Sequence, residues 1–385
     1  MRQRLIQHGG AVSFRTYMEW VLHDPLHGAY GAGRLRIGPH GDFVTAPSLG
    51  PAFAELLAPQ LADWLLQLTP EQPGGCLSLV EAGPGEGQLA LDLAGELAQR
   101  WPELACRVEL VLVEPNAGMA QRQQQRLKAC PIPVRWSSFE QLASRPLRGV
   151  VLAHEVLDAL AVDRFEHRGG QWRRQQVHLG AAGLELGVAQ PLEPGEMRTL
   201  EQLGLGMPGP QRPEGWSSEL HGELAPWMAA CGKALDHGWL LVIDYALEAW
   251  RYYAPQRSAG TLMAYRNQGA SADPLQDPGH WDLTAHVCID TLERAADATG
   301  WIPVGHCRQG EALLALGLAQ ALGALSTEAG EGELPERLQR REALLRLVDP
   351  GALGDFRWLA YARGLHAGAR QGSLPPRFLR EPPLS

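Results

Sequence analysis

LSLVEAGPGEGQLALDL, residues Leu77 to Leu93, carries an apolar run into a glycine-rich turn and out into a helical pattern. Leu77, Leu79 and Val80 are strand-like. After Gln88, residues Leu89, Ala90, Leu93, Ala94 and Leu97 recur at helical spacing, so the stretch reads as strand, loop and helix with Gly83, Gly85 and Gly87 in the crossing. Glycine there permits positive φ and lets a ligand approach the backbone.

A dinucleotide fingerprint needs G-x-G-x-x-G, and this loop instead has G-x-G-x-G followed by Gln88. Glu81 precedes the loop and Glu86 lies inside it. Carboxylates repel a pyrophosphate and attract a cation, which favours a ligand such as S-adenosylmethionine, with its sulfonium and ammonium groups. A sharp turn whose glycines serve backbone geometry alone is the competing reading.

The rest of the composition narrows the choice. At 385 residues the chain can bury a large core, and 45% hydrophobic with 20% charged residues is ordinary globular usage. A net charge of −9 disfavours nonspecific nucleic-acid binding, which relies on basic surface, and suits a basic peptide instead. Six cysteines, at 76, 106, 130, 231, 288 and 307, show no C-x-x-C pair and no zinc spacing, so no metal site is expected and the thiols read as reduced in a cytoplasmic protein. The start MRQRLIQHGGAVSF lacks a continuous apolar segment, and no run of eighteen apolar residues follows. Neither export nor membrane insertion is expected.

Along the chain, a helix over 13–23 capped by Ser13 and a second helix from Pro51 precede the glycine loop, giving a helical cap and closing loop over 1–70. The first half of an α/β core spans 71–162. RVELVLVEP is its second strand and ends at Glu114, where nucleoside-binding α/β folds place a carboxylate on ribose hydroxyls; a solvated strand-end glutamate is the alternative. A helix is expected over Gln121 to Ala129, then a strand IPVRW, then a buried strand through Ala153. In HEVLDALAVDRF the strand should end near His154, with Glu155 and Asp158 on the first turn of a short helix, three residues apart on one face. That pair points toward the crevice of Gly83 and Glu114 and would suit a guanidinium. Dipole-compensating acids at a helix start are the alternative. An inserted excursion follows over 163–237, with β segments around a Gly169-Gly170 hairpin and a helical region from Gly195 to Asp236. The core resumes over 238–370, with a substrate-side loop at 246–283, a helix from Thr284 to Thr299, a strand WIPVGHCRQ, a helix over Glu311 to Leu325, a polar break at Ser326 to Glu333, a helix over 334–348 and a last strand DFRWLAYARG. An irregular tail occupies 371–385.

Six motifs, GDFVTAP (41–47), EAGPGEG (81–87), VEP (113–115), HEVLDAL (154–160), IDY (243–245) and DPLQDPGHWDLTAHV (273–287), together resemble the MidA-like family of class I S-adenosylmethionine-dependent methyltransferases. The resemblance implies an α/β, Rossmann-like class I methyltransferase sheet with S-adenosyl-L-methionine as cofactor. Gly83, Gly85 and Gly87 would cradle its methionine part, Glu114 its ribose, and Ser137 or Ser138 would lie near adenine. Thr45 would belong to the segment closing over it. Glu155 and Asp158 match the acids of the family's N-E-x-x-D-A-L-P motif, with His154 where Asn is usual; Glu86 stands where the family often has Arg. The implied reaction is methylation of arginine on a partner protein, a respiratory complex I-like subunit, with Glu155, Asp158 or His154 taking the proton. A homodimer is left open. The alternatives are an assembly factor that binds a partner and keeps the pocket only for structure, and a nucleotide-dependent oxidoreductase.

Overall fold

The alternation of apolar strands with amphipathic helices builds the expected α/β sheet, of seven strands. The structure, a computed structural model, describes residues 1–68, 75–326, 334–365 and 375–383. The strands are β1 (Leu77–Ala82), β2 (Val108–Val113), β3 (Val134–Ser137), β4 (Leu147–His154), β5 (Leu235–Asp244), β6 (Ile302–Arg308) and β7 (Arg357–Arg363). They lie in the order β3-β2-β1-β4-β5-β7-β6. β1 to β5 pair in parallel, and β7 runs antiparallel to both β5 and β6. All six residues of β1 are buried, as a parallel strand covered on both faces requires. The order reverses between β1 and β4, so the ligand crevice of such a sheet belongs at the carboxyl ends of these two strands.

Helices cover the sheet because their apolar faces match it. In α1 (Ala52–Gln67), Phe53, Leu57, Leu61, Trp64 and Leu65 are buried. Trp64 stacks on Trp239 of β5 with ring centroids 5.6 Å apart. α2 (Gln88–Arg100) buries Leu89, Ala90, Leu93, Ala94 and Leu97, the positions read from its periodicity. α3 (Ala117–Arg126) starts earlier than the expected Gln121.

The chain divides into two units. The sheet unit comprises Ile37–Val156, Ala229–Tyr245 and Ala296–Ser385; the other comprises Met1–Arg36, Leu157–Met228 and Ala246–Ala295. The expected 1–70 cap is therefore shared out: Ala11–Ser13 pairs with strand Gln171–Leu179 of the excursion, whereas α1 lies on the sheet. In the second unit an antiparallel sheet orders Ala11–Ser13, Gln171–Leu179, Asp163–Arg168 and Ser217–Leu220, with Leu184–Pro191 also on Gln171–Leu179. Gly169 and Gly170, at φ 62° and 73°, make the hairpin. Phe165, Trp172, Trp216, Tyr252 and Tyr253 form its core.

Several local expectations change. The helical region 195–236 is interrupted by strand Ser217–Leu220, because pairing with Asp163–Arg168 overrides local propensity. Its Glu219 is fully buried and accepts from Tyr252 Oη (3.1 Å) and Thr261 N (2.9 Å). The 246–283 loop holds a short helix, Ala249–Tyr252, and three short strands, Ala246–Leu247, Met263–Arg266 and Gly269–Ser271. The following helix begins at Ile289, after strands Asp282–Thr284 and Val287–Cys288. In the tail, Phe378 is buried against Trp64 and Trp358 within a 3-10 turn, Arg377–Leu379. Residues 327–333 of the polar break, and 371–374 and 384–385 of the tail, lie outside the described residues. Among the described residues no helix is long and apolar enough to cross a membrane.

Candidate functional site

The glycine loop leaves β1 under tight control. Gly83 N donates to Val113 O (3.0 Å), and Gly87 N closes a turn onto Pro84 O (2.7 Å). Gly83, Gly85 and Gly87 have φ of 60°, 51° and 76°, a region that costs side-chain-bearing residues energy. A Cβ at Gly83 would stand 2.7 Å from Val156 Cγ2, and one at Gly85 2.9 Å from Ile37 Cδ1. Glycine is thus demanded twice over, by φ and by space.

The loop's acidity rests on one residue rather than two. Glu86 is paired with Arg122 of α3 at 3.3 Å. Glu81 is buried, its Oε2 has no hydrogen-bond partner, and burial pushes its carboxyl up to about 8. A cationic group beside Glu81 would offset that burial.

Glu114 follows the end of β2. Its Oε1 accepts from Asn116 N (2.8 Å) and Asn116 Nδ2 (3.0 Å), and its Oε2 accepts from Gln123 Nε2 (2.9 Å). A carboxylate offers about four acceptor positions, so Oε2 keeps capacity for a hydroxyl donor. Burial raises this carboxyl despite those bonds. Gln123 is fully buried, and no sequence motif singled it out. The available signal was periodicity: Met119, Gln123 and Leu127, four residues apart, are all buried on one side of the α3 region.

At the end of β3, Ser138 caps the helix Phe139–Ala143: Gln141 N donates to Ser138 Oγ (3.1 Å) and Ser138 N to Gln141 Oε1 (3.0 Å). Ser137 Oγ donates to the same Gln141 oxygen at 3.2 Å. Helix capping therefore accounts for both serines in part. Thr45 is buried before the 3-10 turn Ala46–Leu49, with its N donating to Ser48 Oγ (3.0 Å). Ile37, at the beginning of the same segment, is the residue a Gly85 side chain would strike.

At the end of β4, the expected short helix does not form. Glu155 sits at φ 53° and its N donates to Ile243 O (2.9 Å), which carries β4–β5 pairing one residue past His154. Val156 N donates to Asp244 Oδ2 (3.1 Å), and Asp244 is fully buried. Left-handed backbone at Glu155 cannot continue into a helix, so the shared face expected for Glu155 and Asp158 is absent. Glu155 belongs to the sheet unit and Asp158 to the other, where Asp158 O accepts from Ala285 N (2.9 Å). His154 is buried beside Phe53 and Phe356, with its Nε2 3.5 Å from Glu155 Oε1. Burial pushes the imidazole down to about 3, which makes it a weak proton acceptor at neutral pH.

Together these features fit S-adenosyl-L-methionine. The glycines leave room at the backbone, Glu81 offers an unpartnered buried oxygen, and Glu114 offers acceptor capacity at the neighbouring strand end.

Comparison with known proteins agrees. Residues 56–307, more than half the chain, match a family model described as "Putative S-adenosyl-L-methionine-dependent methyltransferase". The chain is similar to the Drosophila melanogaster "Protein arginine methyltransferase NDUFAF7 homolog, mitochondrial", at 27% identity covering 93% of this chain and 83% of the relative. The Rattus norvegicus "Protein arginine methyltransferase NDUFAF7, mitochondrial" is 25% identical, covering 95% and 85% respectively. Among solved structures, a Burkholderia thailandensis "COG1565 superfamily member and likely methyl transferase", bound to S-adenosyl-homocysteine, superposes with a TM-score of 0.83 at 28% identity, covering 99% of this chain and 94% of that one. The curated relatives are mitochondrial proteins, which overturns the cytoplasmic expectation. The six cysteines are unbridged, which by itself singles out no compartment. By its sheet, its glycine loop and these matches, the chain belongs to the MidA-like family of S-adenosyl-L-methionine-dependent methyltransferases.

Proposed function

We propose that this methyltransferase modifies an arginine nitrogen of a partner protein. The observation that carries the reading is the placement of Glu155. It stands in left-handed backbone immediately past β4, and its neighbour Val156 packs where a Gly83 side chain would go. Non-glycine residues held in that region cluster at functional sites. A carboxylate there can grip a guanidinium through its fork of donors and orient one nitrogen toward the glycine loop. Asp244 fixes the turn by accepting from Val156 N.

For the cofactor, we assign the methionine part to Gly83, Gly85 and Gly87, its ammonium to Glu81, the ribose to Glu114, the adenine side to Ser137 or Ser138, and the closing segment to Thr45. When bound, S-adenosyl-L-methionine supplies an electrophilic methyl group, and transfer to nitrogen leaves S-adenosyl-homocysteine and one proton. Glu155 accepts that proton or passes it to water. Alignment is the larger contribution, since near-attack geometry can lower a barrier by roughly 7–11 kcal/mol. Asp158 is proposed separately as a substrate-binding carboxylate. The relatives' names, protein arginine methyltransferase, support a protein substrate. A respiratory complex I-like subunit is the partner that the family resemblance implies, and a homodimer is a further proposal.

The test is label transfer from methyl-labelled S-adenosylmethionine to extract proteins, with Glu155→Gln and Asp158→Asn beside wild type. Loss of transfer of at least a hundredfold, with S-adenosyl-homocysteine binding kept, is expected of Glu155→Gln. Full transfer by both variants would sink the assignment.

A further inference from the structure

Three loops at the carboxyl ends of adjacent strands must hold one frame for a nucleoside to bind: the glycine loop after β1, Glu114 after β2, and the end of β3. One fully buried side chain is bonded to all three. Gln123 Nε2 donates to Gly85 O (2.9 Å) and to Glu114 Oε2 (2.9 Å), and Gln123 Oε1 accepts from Trp136 Nε1 (3.0 Å) on β3. The amide has no freedom in this arrangement. A carbonyl and a carboxylate can only accept and an indole N–H can only donate, so the orientation of the amide is dictated by its partners. Its neighbours on α3 bind the same loop, through the Arg122–Glu86 ion pair (3.3 Å) and a contact from Arg126 to Gln88.

We propose that Gln123 is the positioning residue for the nucleoside end of the cofactor, holding the Glu114 carboxylate and the Gly85 carbonyl in one fixed frame. The inference rests on the assignment of ribose to Glu114. Gln123 fills two of the carboxylate's surroundings at once: it bonds Oε2, the oxygen with acceptor capacity left, and it prevents the carboxylate from turning toward the glycine loop. Because both protons of the amide are used, no other neutral side chain of similar length reproduces the set. Methionine matches its volume and offers no donor. Glutamate keeps the acceptor for Trp136 but, when ionised, sets a second negative charge against Glu114 and a lone pair against Gly85 O.

The experiment is calorimetric titration of the full chain with S-adenosyl-homocysteine, for wild type, Gln123→Met and Gln123→Glu. Wild-type binding tests the cofactor site by itself, so its failure is distinguishable from failure of the inference. Given wild-type binding, Gln123→Met should bind at least tenfold more weakly while keeping a native circular dichroism spectrum. Gln123→Glu carries the test even if the methionine variant does not fold. Its deficit against wild type should shrink at least fivefold between about pH 8 and about pH 5.5, as a shared proton restores a donor between the two carboxyls. A side chain that only packs would lower the melting temperature and leave a pH-independent ratio. Affinity of Gln123→Met within twofold of wild type, or a constant ratio for Gln123→Glu, overturns the proposal.

Discussion

Gly85→Ala separates a glycine loop that binds the cofactor from one that merely turns the chain. Its φ of 51° places an alanine in the left-handed region, at a cost of about 1–2 kcal/mol. The added Cβ would meet Ile37 Cδ1 at 2.9 Å. That atom ends a flexible side chain, and moving it off its preferred rotamer costs about 0.5–1.5 kcal/mol. The sum, about 1.5–3.5 kcal/mol, is less than the roughly 5–15 kcal/mol of a typical folded protein, so the variant stays folded. Cofactor affinity should suffer out of proportion. Relaxing φ moves Gly85 O away from Gln123 Nε2, now 2.9 Å distant, and the Gln123–Glu114 contact shares that amide. We expect binding of S-adenosyl-homocysteine to weaken at least tenfold, which corresponds to about 1.4 kcal/mol. Gly83→Ala is the internal control for sterics. Its Cβ would meet Val156 Cγ2 at 2.7 Å, and a β-branched side chain cannot swing aside, so overpacking of about 1–3 kcal/mol adds to the φ cost. Urea unfolding should rank the two, with Gly83→Ala the less stable, and calorimetry should report affinity. Wild-type affinity in a destabilised but folded Gly85→Ala would refute the reasoning, because the glycine would then serve the backbone alone.

Two further predictions concern pH. Glu81 has its carboxyl pushed up from its ordinary 4.5 to about 8 by burial. The native state therefore holds the proton more tightly, and stability falls as pH rises from 4.5 through 8. Glu81→Gln should gain on wild type across that window in thermal melts, and parallel profiles would contradict the burial argument. His154 shows the opposite sign: burial lowers its imidazole from 6.5 to about 3, so its stabilisation is present above 6.5 and is lost as pH falls toward 3. His154→Asn should flatten the acid limb of a stability profile, by about 3 kcal/mol near pH 4.5; an unchanged limb would show that another group governs it.

How far the sequence foretold this molecule depended on whether a signal was local. The strand, loop and helix around Gly83 appear at the residues expected, because buried parallel strands and amphipathic helices write their periods directly into the chain. Ser217–Leu220 carries a helical local pattern, and only its pairing partner, Asp163–Arg168, makes it a strand. The three-residue spacing of Glu155 and Asp158 favours a helix; the bond from Glu155 N to Ile243 O, a residue far along the chain, decides otherwise. Glu86 looked like half of an acidic loop until α3 supplied Arg122. Gln123 lay within a polar helix, and what distinguishes it is burial among three strand ends, which spacing alone does not weigh.

The proposed reaction is tested most directly by the identity of the methylated residue. Purified protein, methyl-labelled S-adenosylmethionine and extract proteins would be incubated together, the labelled protein isolated and hydrolysed, and its amino acids separated. We predict label in methylated arginine, dependent on Glu155 and reduced at least tenfold in Gly85→Ala at limiting cofactor. Label in another amino acid, or transfer indifferent to Glu155, would contradict the arginine assignment.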